Sequence, residues 1–224
     1  MCYSFYTIDP RRFFESYQKA FGKIRSANQV TAMTNVLDRV YSDQNVQNIR
    51  SRAYMLATIK YETGNTWEPV APRFRFTGSF TQIRFRPRGY VPVVGQEIYG
   101  ELSAAYRIRV GPWGDHVDFV KDPNLLLEPC YAYWAMSYGM REGIFTGRKL
   151  SDFFFDADDN EEYPSFTIRL LYQNARSIIE GSGISKPKPM WCYYPSVAAS
   201  QIANDAILLE KLLREVEARK EGRG

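Results

Sequence analysis

The chain has 224 residues, of which 45% are hydrophobic and 24% charged, with a formal net charge of +4. A chain of this length supports one well-cored domain and is too short for two large ones, so we predict a single domain over residues 1–224. The small positive charge favours no polyanionic ligand, and we expect no nucleic-acid partner.

The cysteines and histidines exclude several kinds of site. Cys2, Cys130 and Cys192 lie far apart, and His116 is the only histidine. These spacings fit neither a zinc site nor a disulfide framework, so we expect no metal, no cofactor and synthesis in a reducing cytoplasm. The N-terminal sequence lacks the pattern of a signal peptide. No stretch approaches the ~20 apolar residues of a membrane span.

Residues 10–62 predict three N-terminal helices. Asp9, followed by a proline, is a typical N-cap for the first helix. Ser26 stands three residues before a glutamine, which is the capping-box spacing, at the start of the second. The third helix runs from about residue 46 to Glu62, and a glycine two residues later stops it.

Residues 73–95 have a different sequence pattern from the helical segments before them. Arginine and phenylalanine alternate around a Thr-Gly-Ser turn, which predicts a β-hairpin over residues 73–86 within a small lobe. The arginines could also form a nucleic-acid surface, but strand alternation favours phenylalanines packed inward and arginines in solvent.

The last part of the chain, residues 97–219, predicts a helical body. Apolar residues recur at helical spacing in four segments, at about 97–109, 129–142, 164–181 and 196–219. The predicted fold class is therefore mainly α, in the α+β sense, with one small β element.

Glu62 is a candidate general acid. A glycosidase acid must keep its proton near neutral pH, and the negative end of a helix dipole disfavours ionisation. An apolar wall beside Glu62 would also disfavour its ionisation. The candidates for this wall are Tyr61 and Trp67, and we expect Trp67 to be exposed.

Five segments carry a recognisable pattern: AYMLATIKYETGNTWEPV (53–70), RPRGYVPVVG (86–95), DFVKDPNLLLEP (118–129), SYGMREGIFTGRKLSDFF (137–154) and NARSIIEG (174–181). In this order they resemble the motifs of phage endolysins related to the family 19 glycoside hydrolases, which are chitinases and muramidases. The resemblance spans roughly residues 10–215. It implies a lysozyme-like helical domain, with a small β-hairpin lining a sugar-binding cleft.

The resemblance also implies an activity. The family's general acid is the glutamate of its His-Glu-Thr motif, which corresponds to Glu62, although Tyr61 replaces the histidine here. The implied reaction is cleavage of β-1,4-linked amino-sugar polymers, namely peptidoglycan or chitin. Tyr61, Trp67, Arg88 and Tyr90 lie within the matching motifs and are the expected substrate contacts.

The sequence departs from the family at the second catalytic group. A second acidic residue is expected nine or ten positions after Glu62, where Ala71 and Pro72 stand, and Val94 replaces a hydroxyl residue that would help to hold water. An inverting hydrolase needs a base for its attacking water. The remaining candidates are Glu97, Glu101 and Glu180.

Two alternatives to a replaced base remain open. A single glutamate suffices in goose-type lysozymes, and the same could hold here. Otherwise the chain is a catalytically inactive lysozyme-fold protein that binds cell wall or serves as a structural part of a phage virion. In either case we expect a phage or prophage product, made in the cytoplasm, that acts on the cell wall after release or is carried on the virion.

Overall fold

The computed structural model describes residues 8–71, 79–114, 116–155, 163–180 and 196–221. Within these ranges the chain is mainly helical, which confirms the predicted helical fold class. The α-helices are α1 (Pro10–Phe21), α2 (Ala27–Ser42), α3 (Ile49–Glu62), α4 (Phe80–Arg84), α5 (Gln96–Val110), α6 (Pro129–Glu142), α7 (Ser165–Ala175) and α8 (Val197–Glu221). Short 3-10 turns occur at Gly111–Gly114, Pro123–Leu127, Leu150–Asp152 and Arg176–Ile178. None of the helices in the described ranges has the length and apolarity needed to cross a membrane.

Side-chain caps fix where the first three helices begin. The Asp9 carboxylate accepts the backbone N–H two residues on, at 3.0 Å. Ser26 Oγ accepts the backbone N–H of Gln29 at 3.1 Å. Asn48 caps α3 in the same way, at 3.0 Å. The third helix therefore begins at Ile49, three residues later than predicted, because the cap satisfies a first-turn donor there.

α3 lies at the centre of the molecule. All residues from Ile49 to Ile59 are buried, and the helix packs most extensively along α8, which also contacts α1 and α7. A helix buried on all sides must pair any charge that it carries. Lys60 accordingly contacts Asp205 of α8 at 2.6 Å.

Glu210 of α8 joins three helices. Its carboxylate accepts hydrogen bonds from Arg50 Nε of α3 at 3.1 Å and from the Tyr172 hydroxyl of α7 at 2.8 Å. Glu210 is 6% exposed and Arg50 is 3% exposed. Burial, together with the Glu210 carboxylate, raises the pKa of Tyr172 well above its usual value. The cluster holds α3, α7 and α8 in one arrangement.

The predicted β-hairpin is not confirmed. The whole of its first strand and part of its turn, residues 73–78, lie outside the described residues. The stretch assigned to its second strand contains helix α4. Ser79 and Gln82 form a reciprocal capping box, with hydrogen bonds of 3.3 and 2.9 Å. This local pattern starts a helical turn despite the strand-like alternation.

In the described residues, β pairing is limited to two isolated antiparallel bridges. Val70 pairs with Gly89, and Arg88 pairs with Val93. Gly89 has φ = +102°, which few other residues adopt readily. The first bridge ties the chain after α3 to the loop before α5, and the second closes a turn within that loop.

Asp43, just after α2, links this helix to α6. Its carboxylate accepts hydrogen bonds from Ser137 Oγ at 2.5 Å and from the Tyr133 hydroxyl at 3.1 Å. Burial alone would raise the pKa of Asp43, but hydrogen bonds from Ser137, Asn45 and Tyr133 bring the net shift below its ordinary value. The ionised carboxylate is therefore the form that stabilises this junction.

The ends of α6 and α7 differ in how well the sequence predicts them. α6 has the predicted bounds and ends at Gly143, whose φ is +76°. A Cβ there would lie 3.0 Å from the backbone of Gly147, so the turn is tight. α7 ends at Ala175, earlier than predicted, and continues as the 3-10 turn Arg176–Ile178. The predicted stop at residue 181 lies outside the described ranges.

Candidate active site around Glu62

Glu62 is the last residue of α3, as predicted. The hydroxyl of the next residue, Thr63, donates to the backbone carbonyl of Ile59 at 2.7 Å and so closes the final turn. The Glu62 side chain is 16% exposed. The helix end therefore holds this carboxyl at the edge of the core, where it keeps partial contact with solvent.

A buried arginine binds Glu62 and joins it to Glu180. Arg176, 5% exposed, donates from Nη1 to Glu62 Oε1 at 2.5 Å and from Nη2 to Glu180 Oε1 at 2.7 Å. Its guanidinium carbon lies 5.8 Å from the centre of the Tyr61 ring. We call Glu62, Arg176 and Glu180 the Glu–Arg–Glu cluster.

The arginine of this cluster is a permanent cation. Burial would lower the pKa of Arg176, but the hydrogen bonds and charges of Glu180 and Glu62 raise it above its usual range. A charge-assisted bond to an arginine also fixes the direction of a carboxylate. Arg176 is thus suited to orient Glu62.

The two oxygens of Glu62 have different surroundings. Oε1 accepts the arginine hydrogen bond, whereas Oε2 bonds to no residue in the described part of the chain. A general acid has to carry its proton on an oxygen that reaches the reacting group. Oε2 is the oxygen that can do so.

Of the three candidate bases, Glu180 shares a hydrogen-bond partner with Glu62. Glu97 and Glu101 occupy exposed positions on α5, and neither is among the polar partners of the Glu–Arg–Glu cluster in the described residues. Glu180 is 44% exposed and is held by the same guanidinium as Glu62. The structure therefore brings together the acid candidate and one second carboxylate, through an arginine.

Trp67 differs from the expectation of an exposed residue. It is 0% exposed, and its ring packs edge-on against Tyr17 at 5.9 Å. Its Nε1 donates to Asn65 at 3.1 Å, and its backbone N–H donates to Thr63 Oγ1 at 3.0 Å. Tyr90 is likewise buried, at 1% exposure. Of the two residues expected to form an apolar wall, only Tyr61 lies beside the cluster.

The side chain of Arg88 forms hydrogen bonds within the protein. The side chain is buried and donates to Asn124 Oδ1 at 3.0 Å and to the backbone carbonyls of Arg84 and Arg86 at 2.9 and 3.1 Å. It also donates to the Tyr99 hydroxyl at 3.3 Å. In this arrangement its donors bind the protein's own loops.

The five segments that carry the family resemblance lie against one another. The contacts that join them are Val70 with Gly89, Arg88 with Asn124, Thr146 with Ser177, and Glu62 with Arg176. The first and the last segment therefore meet at the Glu–Arg–Glu cluster.

Arg176 is the residue that the sequence reasoning missed. Two signals pointed to it: its place within the NARSIIEG segment, and its spacing of four residues from Glu180, at which oppositely charged side chains meet on a helical surface. Its contact with Glu62 joins residues 114 positions apart. Periodicity does not show such a contact.

The described residues contain no group of three or more His, Cys, Asp or Glu side chains that could hold a metal ion. Two surface hollows, of about 360 and 290 Å³, lie along α2, and neither is lined by the Glu–Arg–Glu cluster. No protein-family model, curated protein or solved structure matches the chain.

Proposed function

We propose that the chain is a lysozyme-like glycoside hydrolase that cleaves β-1,4-linked amino-sugar polymers, with peptidoglycan as the main substrate and chitin as a related one. The observation that carries this proposal is the Glu–Arg–Glu cluster. It places Glu62 at a helix end, 16% exposed, with one oxygen oriented by a buried arginine. Two of the five segments, 53–70 and 174–181, meet at this cluster, and this supports the same assignment.

Each residue of the cluster has a role in the proposed reaction. Glu62 Oε2 gives its proton to the glycosidic oxygen as the bond from that oxygen to the anomeric carbon breaks. Glu62 is then a carboxylate, and the Arg176 cation in contact with it stabilises that form.

Glu180 is the second carboxylate of the proposal. Once released from Arg176, it takes a proton from water, and the hydroxide oxygen attacks the anomeric carbon. Its 44% exposure gives it the freedom to move away from the arginine. An inverting reaction needs the two carboxyls about 6.5–9.5 Å apart, with water between them.

The second candidate function is that of an inactive lysozyme-fold protein, which binds cell wall or forms part of a phage virion. Two observations favour it. Arg176 already occupies Oε1 of Glu62 at 2.5 Å. Val94, at the position where the family has a hydroxyl residue, is 53% exposed and apolar. In both candidate functions the setting is a phage or prophage product that meets the cell wall.

Clearing of a suspension of purified cell walls separates the two functions. Wild type, Glu62→Gln and Glu15→Gln are compared between about pH 4 and pH 8, from near the ordinary pKa of a free carboxyl group to above neutrality. Glu15 is exposed on α1 and serves as the matched control. The enzyme proposal expects clearing by wild type and by the control, and a loss of about 10²–10⁴-fold in Glu62→Gln. No clearing by wild type at any of these pH values would favour the inactive protein.

A further inference from the structure

The two hollows along α2 share part of their lining. The larger has a volume of about 360 Å³ and the smaller about 290 Å³, and Asn28 and Glu68 line both. Thr31 and Asn35 line the larger hollow, and Asn65 lines the smaller. We call this feature, defined by Asn28, Thr31, Asn35, Asn65 and Glu68, the α2 groove.

Three of the five polar side chains of the α2 groove are free to bind a ligand. Asn28, Asn35 and Glu68 are exposed, and their side chains bond to nothing among the residues that the structure describes. Asn28, Thr31 and Asn35 are spaced three and four residues apart, so they lie on one face of α2. Each asparagine offers both donors and acceptors, and Glu68 offers acceptors.

The loop that forms the other wall is held in an unusual conformation. Asn65 and Trp67 have φ values of +67° and +65°, which is rare for residues other than glycine, especially for one as bulky as tryptophan. Gln29 Nε2 donates to the Asn65 carbonyl at 2.8 Å, and the Tyr17 hydroxyl donates to Asn65 Oδ1 at 3.0 Å. Strained backbone held by several contacts clusters at functional sites. Here it presents Glu68 to the groove.

The residues that line the α2 groove favour some classes of ligand over others. Neutral amides and hydroxyls match the hydroxyl and acetamido groups of a sugar chain, and Pro69, Leu127 and Pro129 add apolar surface for the CH faces of the rings. The negative charge of Glu68, which lines both hollows, would repel a phosphate backbone. A nucleic-acid strand therefore fits this lining poorly.

From these observations we propose that the α2 groove is a second glycan-binding site, separate from the Glu–Arg–Glu cluster, that holds a strand of N-acetylated amino sugars. The choice of sugar rests on the proposed function, whereas the groove and its free side chains do not. Such a site would keep the polymer on the protein while Glu62 acts on another part of it.

Titration with the tetrasaccharide of β-1,4-linked N-acetylglucosamine, followed by calorimetry, tests the proposal. Glu68→Gln should weaken binding about 10-fold or more, and Asn35→Ala about 2- to 10-fold, as expected for lost hydrogen bonds to charged and neutral groups. Matched controls are Glu15→Gln and Gln201→Ala, which change exposed helical side chains elsewhere. Unchanged melting temperatures would show that the groove variants are folded.

Each outcome decides between the sites. Weaker binding by both groove variants, with full affinity in Glu62→Gln, supports the second site, and it does so even if wild type does not hydrolyse cell walls. Equal affinity in wild type and both groove variants, or no binding by wild type, overturns it. Binding that depends on Glu62 and not on the groove residues places the glycan at the Glu–Arg–Glu cluster and also overturns the inference.

Discussion

Replacing Arg176 by methionine should destabilise the fold through the charge that it leaves behind. Methionine keeps most of the length and apolar stem of arginine but removes both hydrogen bonds. Glu62, whose side chain is only 16% exposed, then loses its cation. Glu180, at 44% exposure, returns its charge to water at little cost.

The two carboxylates set the expected magnitude. Breaking a buried ion pair costs about 3–5 kcal/mol, and the partial exposure of Glu62 reduces this to about 2–3 kcal/mol. The contact with Glu180 contributes less than about 1 kcal/mol, as exposed pairs do. In a domain of this size the midpoint of thermal unfolding should fall by roughly 4–12 °C.

Thermal unfolding followed by circular dichroism measures the effect, with the exposed Arg11→Met as control. The double variant Arg176→Met with Glu62→Gln should recover part of the loss, because the uncompensated charge is gone. Glu180→Gln alone should unfold close to wild type. A midpoint for Arg176→Met within about 1 °C of wild type would refute the idea that this arginine neutralises Glu62.

Three further predictions concern the framework of the fold. Glu210→Ala removes the acceptor shared across α3, α7 and α8 and should cost about 3–5 kcal/mol of unfolding free energy, measured by denaturant titration; a cost below about 1 kcal/mol would contradict the cluster. Gly143→Ala should cost about 1–3 kcal/mol, because it forces a Cβ to 3.0 Å from the Gly147 backbone at φ = +76°, and a fully stable variant would show that the turn can relax. Since the pKa of Asp43 is lowered in the folded state, its stabilisation is complete above its ordinary pKa and is lost as the pH falls through the lowered value. Stability measured from about pH 5 to pH 2 should therefore fall less steeply in Asp43→Asn than in wild type.

Helix positions followed from local chemistry. The cap at Asp9 and the apolar period of residues 129–142 predicted α1 and α6 closely. The predicted hairpin is not confirmed in the described residues. Alternation of arginine and phenylalanine is also compatible with a helical turn. The capping box formed by Ser79 and Gln82 stabilises the start of a helix there.

The candidate site was predictable only in its local part. The position of Glu62 at a helix end follows from the pattern of α3, but its contact with Arg176 depends on how α3 and the end of α7 pack together. The burial of Trp67 depends on a left-handed backbone and on packing against Tyr17. Neither the Glu62–Arg176 contact nor the burial of Trp67 can be predicted from the periodicity or the composition of the sequence.

The leaving-group dependence of hydrolysis tests the role of Glu62 most directly. A general acid is needed for a sugar leaving group, which must be protonated, but not for a dinitrophenolate, which leaves as a stable anion. Our account predicts that Glu62→Gln loses about 10²–10⁴-fold of the wild-type rate on an N-acetylglucosamine oligosaccharide, yet retains most of the rate on the matching dinitrophenyl glycoside. Equal losses on both substrates, or wild-type protein that hydrolyses neither, would contradict the assignment of Glu62 as the acid.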